Sequence, residues 1–425
     1  MPSPLSDPKA PPAAAPAPQR QVFYIAGFDP RGAQFYHRLY ADNAALQNEV
    51  HERAHTAGQG EARALQTFTV GPLEANARFD ANWVVQSRPL GDVAADAGAN
   101  AAFNTRYTYL GWDDLAGANT PRGVIPALKA LLAFNNILWR SRSINGAWAH
   151  AKRFFGSLIT ALLWFVAVVG SAGLLAAMVV GLSTMTNSLG TSAAWALGAV
   201  VGLAVLVGGW RLALRWRFVW LLHALQYDLR WGLGLAPELD ARLDGFAQAI
   251  TQDIHERQLA GDHGEVLMVG HCMGSSLMVV ILDKVLRELQ GRSAGTAPPI
   301  KLLTLANVIP MVTLVKHTDH VARPLKALAA RPLPWLDYTS PHDPLCYGLV
   351  DCVAVSGAAP PSGSPRVSYR ARSVRFDKMF NPTTYAALRK DPFRIHFQYL
   401  MASELPVDND FFTLTAGRSP LEHWI

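Results

Sequence analysis

The stretch Phe154–Trp210 runs for 57 residues without an Asp, Glu, Lys, Arg or His. No helix buried in a globular domain needs so long an uncharged run, whereas a membrane-spanning helix needs about 20 apolar residues. The polar cluster STMTNSLGTS at 183–192 divides the run, which predicts one span over about 155–182 and a second over about 193–214. The expected element is a two-helix hairpin occupying 151–217. Arg140, Arg142, Lys152 and Arg153 lie before it, Arg211, Arg215 and Arg217 close it, and the connecting loop carries no charge. An excess of Lys and Arg marks the cytoplasmic side of a span. The expected location is therefore a bacterial inner membrane, crossed twice, with both termini and the flanking chain in the cytoplasm. Gly198 and Gly202 are four apart on the second span, and Gly170 and Gly173 sit on the first. Small residues at such positions let helix backbones approach, and the hairpin is also the expected surface for a homo-oligomer.

Composition narrows the remaining classes. Half of the residues are apolar and the net charge is only +6, with part of the basic set gathered around the hairpin. That pattern fits a bilayer surface as partner better than nucleic acid. The three cysteines, Cys272, Cys346 and Cys352, form no CxxC pair. Neither a disulfide framework nor a metal site is expected, no cofactor motif is present, and a reducing compartment fits. Residues 1–20, MPSPLSDPKAPPAAAPAPQR, lack the apolar core of a secretory signal. So Pro/Ala-rich a segment predicts a disordered tail.

The flanks of the hairpin, 21–150 and 218–425, both alternate strand and helix patterns. QVFYIAGFDPRG (21–32) reads as a strand ending in a turn, AQFYHRLYADNAALQNEV as a helix, and ALQTFTVGPL, ANWVVQSRPL and TRYTYLGWDDL as strands. Beyond the hairpin, Pro237 opens an amphipathic helix with Leu239, Leu243, Phe246, Ile250 and Ile254 on one face. Strands follow at 265–269 and in IKLLTLANVI, PWLDYTS and RVSYRARSV, with a helical stretch near RPLKALAA. Such alternation predicts an α/β fold, a mostly parallel sheet covered by helices. Neither flank is complete alone, so the expectation is one domain interrupted by the inserted hairpin.

Residues 265–282, EVLMVGHCMGSSLMVVIL, lead a short apolar strand through Gly-His-Cys-Met-Gly into a helix. A nucleophile on so sharp a turn needs small residues two before and two after it, because the backbone passes close to its neighbours. Gly270 and Gly274 meet that need around Cys272. Cysteine attacks as the thiolate, a form favoured by helix N-termini and by imidazole. Ser275 is the fallback nucleophile, one turn into the helix.

This segment resembles the nucleophile elbow of the α/β-hydrolase superfamily, and a cysteine at the elbow is similar to dienelactone hydrolases and polyhydroxyalkanoate synthases. The resemblance implies an acid and then a base further along the chain. Asp343 in DYTSPHDPLC matches the acid, with Asp337 as a stand-in, and His396 in DPFRIHFQYL matches the base, with His423 the only later histidine. It also implies an oxyanion hole from the backbone N–H of Met273 and of Phe28 in AGFDPRG, although Ala26 stands where the family has a histidine. Arg31 and His271 are candidate substrate contacts. The implied activity is that of a membrane-anchored esterase, thioesterase or lipase-like hydrolase, or an acyltransferase, acting on lipid-like acyl substrates through a Cys-His-Asp triad. A second reading keeps fold and anchor without turnover, as a catalytically inactive membrane scaffold or assembly protein.

Overall fold

The computed structural model describes residues 19–59, 65–91, 102–120, 123–141, 152–291 and 298–425. Nearly all of the Pro/Ala-rich tail lies outside them. Nine strands form one mixed sheet: β1 (Arg20–Ile25), β2 (Gln66–Val70), β3 (Glu74–Asn76), β4 (Asp80–Pro89), β5 (Phe103–Leu110), β6 (Glu265–His271), β7 (Ile300–Leu305), β8 (Pro334–Thr339) and β9 (Ser368–Ser373). Their order is β2-β4-β5-β1-β6-β7-β8-β9, with β3 paired to β4. The six strands from β5 to β9 across β1 are parallel, while β2, β3 and β4 add an antiparallel edge. The first flank supplies β1 and the second supplies β6, and these two pair from Arg20 with Glu265 to Ile25 with Gly270. The hairpin is thus inserted between strands of a single sheet.

Alternate side chains leave a strand on opposite faces. Phe23 and Ile25 of β1 join Met268, Leu302 and Trp335 in one core, and Val22 and Tyr24 join Val269, Leu303 and Leu336 in another. Both faces are covered, so the parallel strands read as nearly continuous apolar runs. Helix α1 (Gly32–Thr56) covers the second face through Tyr36, Tyr40 and Ala44. Five further helices concern the hairpin and the first face: α2 (Val124–Ser141), α3 (Lys152–Met185), α4 (Thr191–Arg215), α5 (Phe218–Gly232) and α6 (Pro237–Leu259). Helix α6 starts on Pro237, whose missing N–H costs nothing at a first turn, and buries the five apolar residues of its stripe. Helix α7 (Met273–Gly291) packs beside it.

Helices α3 and α4 contain Ile159–Met185 and Thr191–Arg215, each long and apolar enough to span a membrane. They pack on each other through the glycines of α4. A Cβ on Gly198 would lie 2.9 Å from the carbonyl oxygen of Ala176, and one on Gly202 would lie 3.3 Å from that of Ala172. Gly170 and Gly173 take no part, because a Cβ on either meets nothing within 4 Å. Helical periodicity turns Ala172 and Ala176, not those glycines, toward α4. After α4 the chain bends at Arg217, whose φ is 58°. Helix α5 then runs back into the α/β body, where Leu221, Leu225 and Tyr227 are buried in the first-face core. The sequence reading assigns no element here, since the apolar run of α4 passes into that of α5 with only Trp216 and Arg217 between.

Candidate active site

Strand β6 ends at His271 and α7 begins at Met273, so Cys272 alone makes the turn. Its φ is 57°, in the left-handed region, a conformation that costs a residue with a Cβ on the order of 1 kcal/mol or more. Hydrogen bonds hold it there. Cys272 N–H donates to Leu305 O at 2.9 Å, while the N–H and Oγ of Ser275 donate to Cys272 O at 2.9 and 2.5 Å. A Cβ on Gly270 would stand 2.4 Å from Gly274 O, and one on Gly274 would stand 2.4 Å from Ile25 O. The glycine spacing is therefore a steric requirement of the turn. Ser275 is buried with its hydroxyl engaged by the elbow, which removes it as a presented nucleophile.

Asp343 lies in the loop after β8, and His396 on the short helix Pro392–Phe397, whose first N–H groups are capped by Asp391. The fold brings them together: His396 Nδ1 lies 2.8 Å from Asp343 Oδ2, and both side chains are buried. The other carboxylate oxygen accepts the N–H of Leu345 at 2.9 Å. Burial alone would strip the proton from His396, but the charges of Asp343 and Cys272 outweigh it and push the imidazole up to about 10. Burial likewise favours a neutral Asp343, yet the paired imidazole holds its carboxyl below the usual range. The result is a carboxylate–imidazolium pair. The other ring nitrogen, Nε2, is buried and makes no bond of full hydrogen-bond geometry among the described residues, but Cys272 is close enough to raise the imidazole.

The stand-in Asp337 and the later histidine His423 both lie elsewhere. Asp337 is fully buried and accepts from Thr304 Oγ1, Asn307 Nδ2 and Tyr369 OH at 2.7, 3.1 and 2.8 Å. His423 is exposed beside Trp424.

Of the two candidate substrate contacts, His271 is enclosed, whereas Arg31 is tied to Asp29 but stays exposed. His271 is buried, with Nε2 2.9 Å from the carbonyl oxygen of His396 and its ring packed on those of His396 and Phe397. Burial and the neighbouring imidazolium bring it down to about 3. It is therefore neutral, and Nε2 is the nitrogen that carries the proton and donates. His271 positions the helix of His396 from beneath. Arg31 is bound to Asp29, with Nε 2.8 Å from Oδ1, and stacks over Phe35 and Phe397 at 3.8 and 4.7 Å. Asp29 also accepts the Tyr36 hydroxyl at 2.8 Å, so these bonds fix the loop after β1.

That loop meets the elbow. A Cβ on Gly27 would lie 2.9 Å from Cys272 Cβ and 3.3 Å from Sγ, so only glycine fits. Phe28 follows, and among the described residues neither its backbone N–H nor that of Met273 donates to the chain. Met273 opens a helix, where such orphan donors are usual. The Phe28 ring packs against Trp112, Tyr227 and Trp220 at 6.1, 5.5 and 6.5 Å. Trp220 in turn lies 5.4 Å from Phe393, on the helix of His396. The sequence reading passed over both residues, since neither belongs to a motif and they meet only through the fold.

Among the described residues no group of three or more His, Cys, Asp or Glu comes together as a metal site. The elements meet at the carboxyl ends of β1, β6 and β8, where open α/β sheets commonly place their ligands. The arrangement is suited to nucleophilic attack by sulfur with an oriented imidazole beside it. No family model, curated protein or solved structure matches the chain.

Proposed function

We propose that this chain is a membrane-anchored, α/β-hydrolase-like enzyme that hydrolyses or transfers acyl groups of lipid-like esters or thioesters through Cys272. The observation that carries this reading is the buried Asp343–His396 pair, whose imidazole also interacts with Cys272, a thiol held on a left-handed elbow. With its proton already held on His396 Nε2, Cys272 attacks as the thiolate, and the sulfur bonds to the substrate carbonyl carbon. The negative charge that develops on oxygen falls to the N–H groups of Phe28 and Met273. Collapse expels the alcohol or thiol, which takes the proton from His396, and leaves a thioester on Cys272. Water or another acceptor then gives its proton to His396 and attacks the thioester, releasing the acyl product and restoring the thiolate. Asp343 keeps the ring oriented and stabilises its charged form without taking the proton. The helices α3 and α4 would anchor this chemistry at a bilayer, and the arginines flanking them support a sheet on the cytoplasmic side.

The test uses the full chain in detergent micelles, offered p-nitrophenyl and thioester acyl donors. The expected result is a hydroxylamine-labile acyl adduct on Cys272 by mass spectrometry, absent in Cys272→Ala, with turnover reduced in His396→Ala by about a thousandfold or more. Folded wild-type protein that neither acquires an adduct nor releases product would sink the enzyme reading and favour the scaffold.

A further inference from the structure

The first-face core is rimmed by partly exposed residues, and Cys272, Trp220, Ala224, Val350 and Phe393 are among them. Cys272 and α5 both contribute to that rim, which is the mouth of the candidate site. The Trp220 ring spans that mouth, 6.5 Å from Phe28 on the loop beside Cys272 and 5.4 Å from Phe393 on the helix of His396. Arg217, two residues beyond the end of α4, stacks its guanidinium 5.0 Å from the same Phe393 ring. Trp164, Trp216 and Phe218 cluster at that end of the hairpin, with ring centroids 4.7 Å apart for the tryptophans. Aromatic rings and arginines of this kind sit at a bilayer's headgroup level. The exit from the membrane and the mouth of the site are thus built from one short segment, 216–224.

We propose that Trp220 is the specificity-determining wall of an acyl-chain site, in which the carbonyl lies at Cys272 and the tail runs out past Ala224 and then Trp220 toward the bilayer. This rests on the acyl-transfer reading of Cys272. The substrate class is then a long-chain acyl ester or thioester taken from the membrane. A short water-soluble ester would leave the mouth unfilled. Trp220 and Ala224 are one helical turn apart and so share a face of α5. A tail passing one must pass the other. Mouths of this type, apolar with a few placed polar groups at the inner end, are the usual form of small-molecule sites.

The experiment compares kcat/KM for palmitoyl and butyryl p-nitrophenyl esters, using the full chain in mixed micelles. In Trp220→Ala the palmitoyl-to-butyryl ratio is expected to fall about tenfold, the scale set by losing a few methylene contacts, and Trp220→Phe should restore most of it. Ala224→Phe, which fills the mouth, should lower the same ratio independently. Ratios unchanged in Trp220→Ala and Ala224→Phe, with Cys272 still acylated, would overturn the proposal. Wild-type protein that never acylates Cys272 would overturn the acyl-transfer reading itself.

Discussion

Two buried carboxyl groups, Asp337 in β8 and Asp343 just beyond it, each have a buried cysteine nearby, Cys352 and Cys346, yet only Asp343 also pairs with an imidazole. Asp337 is surrounded by finished bonds: hydroxyls of Thr304 and Tyr369 and the amide of Asn307 all donate to it. Burial raises it to about 6, with those donors pulling the other way. Its thiol neighbour Cys352 is completely buried, and burial with the nearby carboxyl drives that thiol well above its ordinary value. Asp343 instead faces an imidazole whose far nitrogen makes no bond of full hydrogen-bond geometry among the described residues, and Cys272 is partly exposed. Buried polar atoms in folded chains are nearly always satisfied. A cluster with every bond made holds structure together, whereas one that leaves a buried nitrogen without a full hydrogen bond beside a strained thiol is arranged for another group to arrive.

The sharpest way to break this comparison is to neutralise each carboxyl. Asp343→Asn should lower acyl transfer by about three to four orders of magnitude, since an amide both favours the wrong imidazole tautomer and removes the charge that stabilises imidazolium. Asp337→Asn should change it by no more than a few fold, while costing about 1–2 kcal/mol of stability because an amide nitrogen would face donors. Comparable activity losses in the two variants would erase the distinction.

Alkylation separates the thiols next. Cys272 should react with iodoacetamide at least about a hundredfold faster than Cys346 or Cys352, which wait on local opening of the fold. Peptide mapping after brief exposure reads the order. Equal labelling would show that the elbow is not presented as described.

The smallest effect is on stability against pH. His396 has a native value of about 10, against roughly 6.5 for an unfolded histidine, so the fold binds its proton more tightly. That contribution is complete below about 6.5 and is lost as pH rises through about 10. Asp343 is depressed in the fold, so its contribution is present above its unfolded value of about 4 and is lost as pH falls further. The Tm gap between wild type and Asp343→Asn should therefore be widest from about pH 4 to 6.5 and narrow toward pH 10. A gap that widens on the alkaline side would contradict the pair's assignment.

Much of this was legible in the chain. The uncharged run became α3 and α4, and the strand, turn and helix around Cys272 lie where the pattern put them, because hydropathy and glycine spacing are local properties. The helix at 218–232 escaped, since its apolar residues continue those of the preceding span and only the bend at Arg217 divides them. Gly170 and Gly173 misled for a related reason: a list of small residues does not say which side of a helix meets its neighbour. Of the two residues offered as substrate contacts, His271 is turned beneath His396 and Arg31 is held by Asp29, facts that depend on packing partners remote in sequence.

By itself the sequence determined that the chain carries two apolar helices, that its flanks alternate strand and helix, and that a cysteine sits at a glycine-bracketed turn. Each is set by neighbours within a few residues. Only the tertiary structure decided that both flanks build one sheet, that Asp343 and not Asp337 reaches His396, and that the segment leaving the hairpin brings Trp220 against Phe28 and Phe393. Those outcomes turn on which distant groups share a buried space, where the gain from pairing charges must outweigh the cost of removing them from water.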